Sequence, residues 1–337
     1  DAGVVISASH NPMEFNGIKF FNHLGYKLRD ELEEEIEDII FHHMDSLPQP
    51  TGKDIGIKSI AEDALDDYIS FLQQSTNSTF EGIKVAIDCA NGSSYKAAPI
   101  SLLNLKARLC IIHNEPNGIN INENCGSTHI QDLCAFVKEN NADVGFAFDG
   151  DADRCLAVDE NGQLIDGDKI LAICGMAMKE QKILKNDTIV ATIMSNMGLS
   201  MMADQKGMKV EQTNVGDRYV LERMIEKNYN LGGEQSGHII FLDHNTTGDG
   251  ILTAIQFLTV MKKTGKKASE LAAMMETMPQ VLVNAKVNNN KKNDYMEVAE
   301  IKEAIETLNE KFHGEGRVLI RTSGTEPLVR VMIEGKD

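Results

Sequence analysis

Residues 144–148 read Val-Gly-Phe-Ala-Phe, and residues 149–154 continue Asp-Gly-Asp-Ala-Asp-Arg. The apolar run predicts a buried β-strand, and the acidic segment predicts a loop at the end of that strand. A second apolar run, Cys155–Val158, follows directly. Outward from this pair of strands, most of the chain alternates short β-branched runs with segments of helical periodicity. This alternation predicts an α/β fold with parallel or mixed sheets and helices packed against them.

The predicted strands besides Cys155–Val158 are short apolar runs bounded by turn residues. They are Gly3–Ile6, Ile18–Phe21, Ile83–Asp88, Leu109–His113, Asp143–Phe148, Thr188–Ile193, Met208–Thr213 and His238–Leu242. Amphipathic helices lie between them, for example Ile130–Asn140 and Asp249–Lys263. After the polar segment Asn288–Asn293 we expect a helix that ends near Phe312 and two further strands, which together form a small α+β domain.

The composition limits the classes of partner. The chain has 337 residues, 42% of them hydrophobic and 25% charged, which excludes wholesale disorder and suggests several domains. A net charge of −18 argues against nucleic-acid or anionic-membrane surfaces, so an anionic ligand needs cations gathered locally. No apolar stretch approaches the roughly 20 residues of a membrane span, so we expect no membrane segment. Six cysteines without a Cys-x-x-Cys pair predict reduced thiols in a cytoplasmic protein.

The acidic loop predicts a metal site. Asp149, Asp151 and Asp153 occupy alternate positions, so their carboxylates can converge on one hard divalent cation. Without a cation, this much negative charge in one place is unfavourable. An EF-hand is a poor match, because Arg154 stands where glycine is required and both flanks read as strands. A solvated acidic turn is the remaining alternative, and the apolar runs on both sides disfavour it.

A second cluster follows the first predicted strand. Residues 7–12 read Ser-Ala-Ser-His-Asn-Pro, and Lys19 lies on the next strand. A serine beside a histidine and near a lysine is the pattern of an activated nucleophile. An Asn-Pro turn explains the same residues, and from these residues alone the turn is favoured.

Two later loops carry groups that suit sugars and phosphates. Residues 232–238 read Gly-Gly-Glu-Gln-Ser-Gly-His and offer close backbone approach and directional hydrogen bonds, although a polar turn fits equally well. Residues 321–327 read Arg-Thr-Ser-Gly-Thr-Glu-Pro, and with Arg330 they favour a phosphate cradle over a plain turn. Arg218 adds a cation near a predicted helix start, and Asp249 is expected to cap the next helix.

In this order, the four segments resemble the motifs of the α-D-phosphohexomutase superfamily. Residues 7–12, 149–154, 233–238 and 321–327 look like its phosphoserine, metal, sugar-specificity and phosphate loops. Gln235 and the run Glu326–Met332 are similar to the bacterial phosphoglucosamine mutase branch. The resemblance implies an isomerase that interconverts glucosamine 6-phosphate and glucosamine 1-phosphate through a phosphoserine and a 1,6-bisphosphate, on the route to UDP-N-acetylglucosamine and the cell wall.

The resemblance also implies a role for each matching residue. The residues implied to act in catalysis are Ser9, His10, Lys19 and Arg154, with Ser9 carrying the phosphoryl group. The residues implied to hold one Mg²⁺ are Ser9, Asp149, Asp151 and Asp153. The residues implied to bind substrate are Arg218, Glu234, Ser236, His238, Arg321, Ser323, Gly324, Thr325 and Arg330. The substrate would be a small-molecule amino-sugar phosphate, a hexose 1,6-bisphosphate would be activator and intermediate, and a homodimer stays open.

Four domains around a central cleft follow from the same resemblance. They are the remainder of a phosphoserine domain (1–76), a metal-binding α/β domain (77–165), a sugar-binding α/β domain (166–284) and a partial phosphate-binding α+β domain (285–337). Because only eight residues precede Ser9, we expect the first domain to be truncated at its N-terminus and to have unpaired strand edges.

Three other functions remain open at this point. A phosphomannomutase or phosphoglucomutase would use the same loops, and only Gln235 and its neighbours argue against it. A metal-dependent sugar-phosphate phosphatase would pass the phosphoryl group of Ser9 to water. An inactive binding fragment is disfavoured, because binding alone needs neither the serine nor three aspartates.

Overall fold

The computed structural model describes residues 2–288, 294–313, 315–322 and 327–336, and these ranges form four β-sheets with helices packed around them. The predicted α/β fold class is confirmed. Three residues of the predicted phosphate loop, Ser323, Gly324 and Thr325, lie outside the described residues.

The first sheet is a pair of antiparallel strands followed by two helices. The elements are β1 (Gly3–Ser7), β2 (Gly17–Phe21), α1 (Asp30–His42) and α2 (Ala64–Gln74). Ser7 lies opposite Gly17, so the predicted Ser-His turn joins the two strands, and Lys19 projects from the second. No residue of α1 is buried. Helix α2 instead buries Ile69 and Leu72.

The second sheet has five strands in the order β4-β3-β5-β6-β7. Its elements are β3 (Lys84–Asp88), α3 (Ser94–Asn104), β4 (Arg108–Ile112), α4 (Gln131–Asn140), β5 (Val144–Phe148), β6 (Cys155–Asp159) and β7 (Leu164–Ile165). β3 pairs in parallel with β4 and β5, whereas β5 pairs with β6 in antiparallel register. Every residue of β5 is buried. Residues 149–154 are therefore the turn between two central strands, as predicted.

The third sheet has four strands in the order β11-β10-β8-β9. Its elements are α5 (Gly167–Glu180), β8 (Thr188–Thr192), α6 (Met197–Gln205), β9 (Lys209–Thr213), α7 (Asp217–Lys227), β10 (Leu231–Gly233), β11 (Ile239–Phe241), α8 (Gly250–Thr264) and α9 (Ala268–Ala272). The sequence assigned Gly232 and Gly233 to a loop, whereas the structure places them in β10. A Cβ on Gly232 would lie 2.6 Å from the Met224 sulfur and 2.9 Å from Val220, so glycine is needed for packing.

The fourth sheet is antiparallel, with the order β12-β14-β13. Its elements are β12 (Gln280–Lys286), α10 (Ala299–Phe312), β13 (Gly316–Thr322) and β14 (Leu328–Gly335). The sequence predicted two strands here, and β12 was missed. β12 is an edge strand whose side chains are mostly exposed, so the apolar alternation of a half-buried strand is lacking. It runs across the predicted domain boundary at residue 285.

A buried ion pair fastens the fourth sheet to the third. Arg317 Nε donates to Glu334 Oε2 at 2.7 Å, and Arg317 Nη2 donates to the Ser195 carbonyl at 2.6 Å. The Met197 amide donates to the other oxygen of Glu334 at 3.1 Å. Glu334 is only 1% exposed, and all of its named partners are charged or backbone donors, so its burial is compensated.

The main hydrophobic core joins the second and third sheets, and α8 lies at its centre. Phe257 of α8 meets Phe146 of β5 edge to face, with ring centroids 5.6 Å apart. The predicted cap is confirmed, because Asp249 accepts a hydrogen bond from the Leu252 amide at 2.9 Å. The Tyr68 hydroxyl lies 3.0 Å from both oxygens of Asp249, so α2 is fixed to the same point.

Two of the compositional expectations can be compared with the structure. All six cysteines are free thiols, and four of them are buried, which agrees with the expectation of reduced core thiols. Across the described ranges, the helices are too short or too polar for any to cross a membrane.

Replacing Asp249 by alanine is expected to lower the free energy of unfolding by about 2–4 kcal/mol. The change removes a helix cap worth about 1 kcal/mol and leaves the Tyr68 hydroxyl without its acceptor, at a cost of about 1–3 kcal/mol. Urea denaturation followed by circular dichroism measures the effect. The control Asp45→Ala removes an exposed carboxylate and should change stability by less than about 0.5 kcal/mol. Equal losses in the two variants would contradict the role of Asp249.

Candidate active site

The three predicted carboxylates converge at the end of β5. One oxygen from each of Asp149, Asp151 and Asp153 lies within 4.8 Å of the others. Each residue also has an oxygen that is buried and without a hydrogen-bond partner in the part of the chain that the structure describes: Asp149 Oδ2, Asp151 Oδ1 and Asp153 Oδ1. Converging carboxylate oxygens are the donors that hard divalent cations prefer. The residues present therefore fit such a cation.

The electrostatics of the cluster support the same conclusion. Burial, together with the charges of Asp153 and Asp151, raises the pKa of Asp149 to about 8. Burial also raises the pKa of Asp153, but His238, Lys19 and Arg154 outweigh it, so this pKa lies below its usual value. The loop thus holds more negative charge than its own surroundings neutralise.

Lys19 from β2 is the nearest cation to the carboxylates. Its Nζ donates to Asp151 at 2.5 Å and to Asp153 at 3.2 Å. Burial alone would lower the pKa of Lys19, but the two carboxylates raise it above its usual value. Lys19, which the resemblance implies to act in catalysis, therefore lies against the acidic loop.

The predicted nucleophile lies over the acidic loop. Ser9 has a φ of 52°, which is unusual for a residue other than glycine, and its Oγ lies 3.4 Å from His10 Nδ1. The Gly150 amide donates to the Ser9 carbonyl at 3.0 Å. The Asn122 side chain donates to the carbonyls of Ser9 and Asn11, each at 2.8 Å. Two segments distant in sequence therefore hold the serine turn in its strained conformation.

Neither Gly150 nor Asn122 was singled out as a site residue from the sequence. A Cβ on Gly150 would lie 2.5 Å from the Ser9 carbonyl oxygen, so only glycine permits this contact. Asn122 is 4% exposed and has a positive φ, yet it stands in a polar segment with no motif of its own.

The remaining two residues of the catalytic set lie next to the cluster. Burial, and then the charge of Arg154, lower the pKa of His10, which favours its neutral form. Arg154 Nε lies 3.9 Å from Asp153 Oδ1, is buried, and has no hydrogen-bond partner among the described residues. A guanidinium in this position is suited to an anionic group.

The sugar loop is joined directly to the metal loop through the backbone. Arg154 and His238 form an isolated β-bridge, and the Cys155 amide donates to the Gly237 carbonyl at 3.0 Å. Gly237 has a φ of +93°, and a Cβ there would lie 2.5 Å from the Cys155 carbonyl oxygen. The predicted metal and sugar loops therefore meet.

The polar side chains of the sugar loop differ in their surroundings. Ser236 is exposed, whereas Glu234 is half-buried and accepts from the Gly216 amide at 3.1 Å. His238 is buried beneath the loop, with Nε2 3.6 Å from Asp217 and Gly248 against its ring. Gln235 donates to Asp166 at 3.3 Å. Solvent can therefore reach Ser236 and Glu234, whereas the His238 side chain lies buried beneath the loop.

Arg218, also predicted to bind substrate, is held by two carboxylates. Its Nε donates to Glu222 at 2.8 Å, and its guanidinium pairs with Asp30 of α1. Its neighbour Asp217 pairs with Lys27. These contacts, which sequence reasoning missed, join α7 to the segment between β2 and α1.

The two arginines predicted to bind phosphate lie on neighbouring strands. Arg321 of β13 is directly opposite Arg330 of β14 in the antiparallel register. Burial lowers the pKa of Arg321, and the charge of Arg330 lowers it further, while Glu234 opposes both. Like charges directly opposite one another destabilise a sheet unless an anion offsets them. The pair is thus suited to an anion between the fourth sheet and the sugar loop.

Comparison with known families assigns all four parts of the chain to one group of enzymes. Four domain families described as phosphoglucomutase/phosphomannomutase match in order: domain I at residues 1–46, domain II at 66–162, domain III at 166–278 and the C-terminal domain at 282–337.

Curated relatives match over the full chain. A phosphoglucosamine mutase from Ruminiclostridium cellulolyticum is 64% identical over 337 residues, which are 100% of this chain and 75% of the relative. A phosphoglucosamine mutase from Acetivibrio thermocellus is 60% identical with the same coverage.

Solved structures show the same fold. A phosphoglucomutase/phosphomannomutase family protein from Burkholderia thailandensis superposes with a TM-score of 0.81 at 21% identity, covering 100% of this chain and 72% of that one. An Aspergillus fumigatus N-acetylphosphoglucosamine mutase in complex with GlcNAc-6P and magnesium gives a TM-score of 0.77 at 18% identity, with 100% and 85% coverage.

The variant Asp151→Asn is expected to bind divalent cations at least about tenfold more weakly, because one of three converging charges is lost. Titration with Mn²⁺, followed by electron paramagnetic resonance, measures free and bound ion directly. The control Asp66→Asn makes the same change on the exposed face of α2 and should leave affinity unchanged. Equal affinity in the two variants would contradict the metal site.

Proposed function

The chain belongs to the phosphoglucosamine mutase family of the α-D-phosphohexomutase superfamily, and we propose that it interconverts glucosamine 6-phosphate and glucosamine 1-phosphate. The observation that carries the proposal is the contact between two loops. The Ser9 carbonyl accepts hydrogen bonds from the Gly150 amide and the Asn122 side chain, so the serine turn lies against the turn that carries Asp149, Asp151 and Asp153. A nucleophile fixed over a cation site is the arrangement that phosphoryl transfer requires.

A metal cofactor is supported by family membership and by the three buried carboxylates. We propose that this cofactor is Mg²⁺, held by Asp149, Asp151 and Asp153 together with an oxygen on Ser9. When bound, such a cation neutralises the charge of the transferring phosphoryl group. Lys19 contacts two of the same carboxylates, and Arg154 offers a second cation beside them.

The proposed reaction starts from phospho-Ser9. The bond between phosphorus and Ser9 Oγ breaks, and a new bond forms to the 1-hydroxyl oxygen of glucosamine 6-phosphate. His10, whose lowered pKa keeps it neutral, accepts the hydroxyl proton, and Lys19, whose raised pKa keeps it charged, donates a proton to the departing Ser9 Oγ. The product of this step is the 1,6-bisphosphate. After the bisphosphate turns over in the cleft, its 6-phosphoryl group returns to Ser9 and glucosamine 1-phosphate leaves. A hexose 1,6-bisphosphate would therefore also activate an unphosphorylated enzyme.

Substrate recognition is proposed to divide between two surfaces. Glu234 and Ser236 would hold sugar hydroxyls or the amine, because both are polar groups that solvent can reach. Arg321 and Arg330 would hold the phosphate that is not reacting, together with the predicted Ser323, Gly324 and Thr325. His238 would position the loop from beneath, since it is buried beside Asp217.

A coupled mutase assay with Mg²⁺ and a trace of hexose 1,6-bisphosphate tests the substrate. We expect kcat/KM for glucosamine 6-phosphate to exceed that for mannose 6-phosphate and glucose 6-phosphate by at least about tenfold, a difference of about 1.4 kcal/mol in transition-state binding. A preference for a neutral sugar would favour the phosphomannomutase or phosphoglucomutase alternative. Release of free phosphate without isomerisation would favour a phosphatase.

The variant Ser9→Ala should lose mutase activity by at least about 10³-fold, because no other group in the proposed mechanism carries the phosphoryl group. Binding of glucosamine 6-phosphate, measured by calorimetry, should stay within a few-fold. Ser46→Ala, on an exposed turn, serves as the matched control and should keep full activity. Turnover by the Ser9 variant equal to that of the control would end the phosphoserine mechanism.

A further inference from the structure

A second group of metal-binding side chains lies in the second sheet, apart from the three-carboxylate loop. Asp88 ends β3, His113 directly follows β4, and Cys125 lies in the loop before α4. One donor atom from each lies within 4.8 Å of the other two. Asp88 and Cys125 are fully buried, whereas the His113 side chain is 27% exposed. The buried Asp88 and Cys125 therefore form the inner side of the group, and solvent reaches it past the partly exposed His113.

The spacing of the donor atoms suits a small tetrahedral ion. His113 Nδ1 lies 3.1 Å from Asp88 Oδ2. Donor atoms around tetrahedral zinc are about 3.3–3.8 Å apart, given metal–ligand bonds of about 2.0–2.3 Å. The nitrogen and oxygen are thus already close to that spacing, and the sulfur needs to approach them by at most about 1 Å to match it.

The surroundings of the donors have the features of a metal site. The amides of Ala90 and Gly126 donate to the two oxygens of Asp88, each at 2.9 Å, and so fix the orientation of the carboxylate. The other ring nitrogen of His113 lies 3.8 Å from Asp132 Oδ2. A carboxylate near the outer nitrogen of a metal-binding histidine is a recurrent arrangement, because it selects the tautomer and orients the ring.

A plain ion pair between His113 and Asp88 is the simpler explanation of this contact. An ion pair accounts for the short distance between His113 and Asp88, but it does not account for two further observations. The first is that His113 Nδ1 is buried and makes no well-aligned hydrogen bond with a described residue. The second is that a third donor of different chemistry, the Cys125 sulfur, lies within reach of both groups.

We propose that Asp88, His113 and Cys125 bind a borderline or soft divalent transition metal of the Zn²⁺ class. A thiolate and an imidazole favour such ions over Mg²⁺, whereas the oxygen-only cluster at Asp149 has the opposite preference. Binding replaces the proton on Cys125 Sγ by the metal, and this proton passes to solvent. The partly exposed side of His113 leaves a position for water as the fourth ligand.

The site lies directly behind the serine turn. Cys125 is three residues from Asn122, whose amide donates to the carbonyls of Ser9 and Asn11. Gly126, whose amide binds Asp88, has a φ of +72° and could not accept a Cβ, because Ala90 is 2.6 Å from that position. A metal bound here would fasten this segment to β3 and β4, and through Asn122 it would support the proposed nucleophile.

Cobalt spectroscopy on the full chain tests the proposal. The protein is stripped with a chelator, kept reduced with a non-thiol reductant, saturated with Mg²⁺ to fill oxygen-only sites, and titrated with Co²⁺. Coordination by a thiolate gives a charge-transfer band in the near ultraviolet, which an oxygen-only site does not give. We expect one equivalent of Co²⁺ to produce this band and Zn²⁺ to displace it.

Three variants decide which residues bind. Cys125→Ser should abolish the band, and His113→Gln should weaken Co²⁺ binding at least about tenfold. The control Cys110→Ser changes a thiol on β4 that donates to the Val85 carbonyl and lies outside the proposed site, and it should retain the band. Absence of the band in the unmodified chain, or its persistence in Cys125→Ser, would overturn the proposal. If Cys125→Ser does not fold, the partly exposed His113 decides, and unchanged affinity in His113→Gln overturns it.

Discussion

The concentration of three carboxylates at one turn is the constraint on which the rest of the molecule depends. Asp149, Asp151 and Asp153 follow a fully buried strand, and because Asp149 is buried and the other two are only partly exposed, water screens their charge poorly. The surrounding structure supplies cations from distant parts of the chain, with Lys19 from the first sheet and Arg154 from the turn itself. In a chain of net charge −18, these local cations also determine where an anionic substrate can bind.

Backbone contacts join the metal turn to loops of two other sheets. The metal turn donates from Gly150 to the serine turn and is bridged to the sugar loop between Arg154 and His238. Glycine is required at Gly150 and Gly237 because another backbone lies where a Cβ would be. The close approach of two main chains therefore gives the physical reason for the glycines in these motifs. A substitution at Gly150 would push the metal turn away from the serine turn, and a substitution at Gly237 would push the sugar loop away from the metal turn.

Much of the fold could be predicted from the sequence, because buried parallel strands and amphipathic helices have strong local patterns. The exceptions have physical reasons. β12 is an exposed edge strand without the expected alternation, and the glycines of β10 are packed against Met224 instead of lying in a turn. Within the candidate site, the family resemblance implied that Ser9 and the aspartates share one site, whereas the local pattern around Ser9 alone favoured a plain turn. Asn122 could not be found in this way, because it acts across 113 residues through a backbone carbonyl.

The ion pair between Arg317 and Glu334 anchors the fourth sheet at one end, and Arg321 and Arg330 lie nearer the other. Glu334 and Arg330 are four residue steps apart on an extended strand, a length of about 13 Å. Because the anchoring contacts with Ser195 and Met197 are at one end, a rotation of about 10° about that end would move Arg330 by about 2 Å and would change those contacts far less. In the proposed mechanism, such a rotation would let the two arginines follow a phosphate on either end of the sugar while the three carboxylates stay in place.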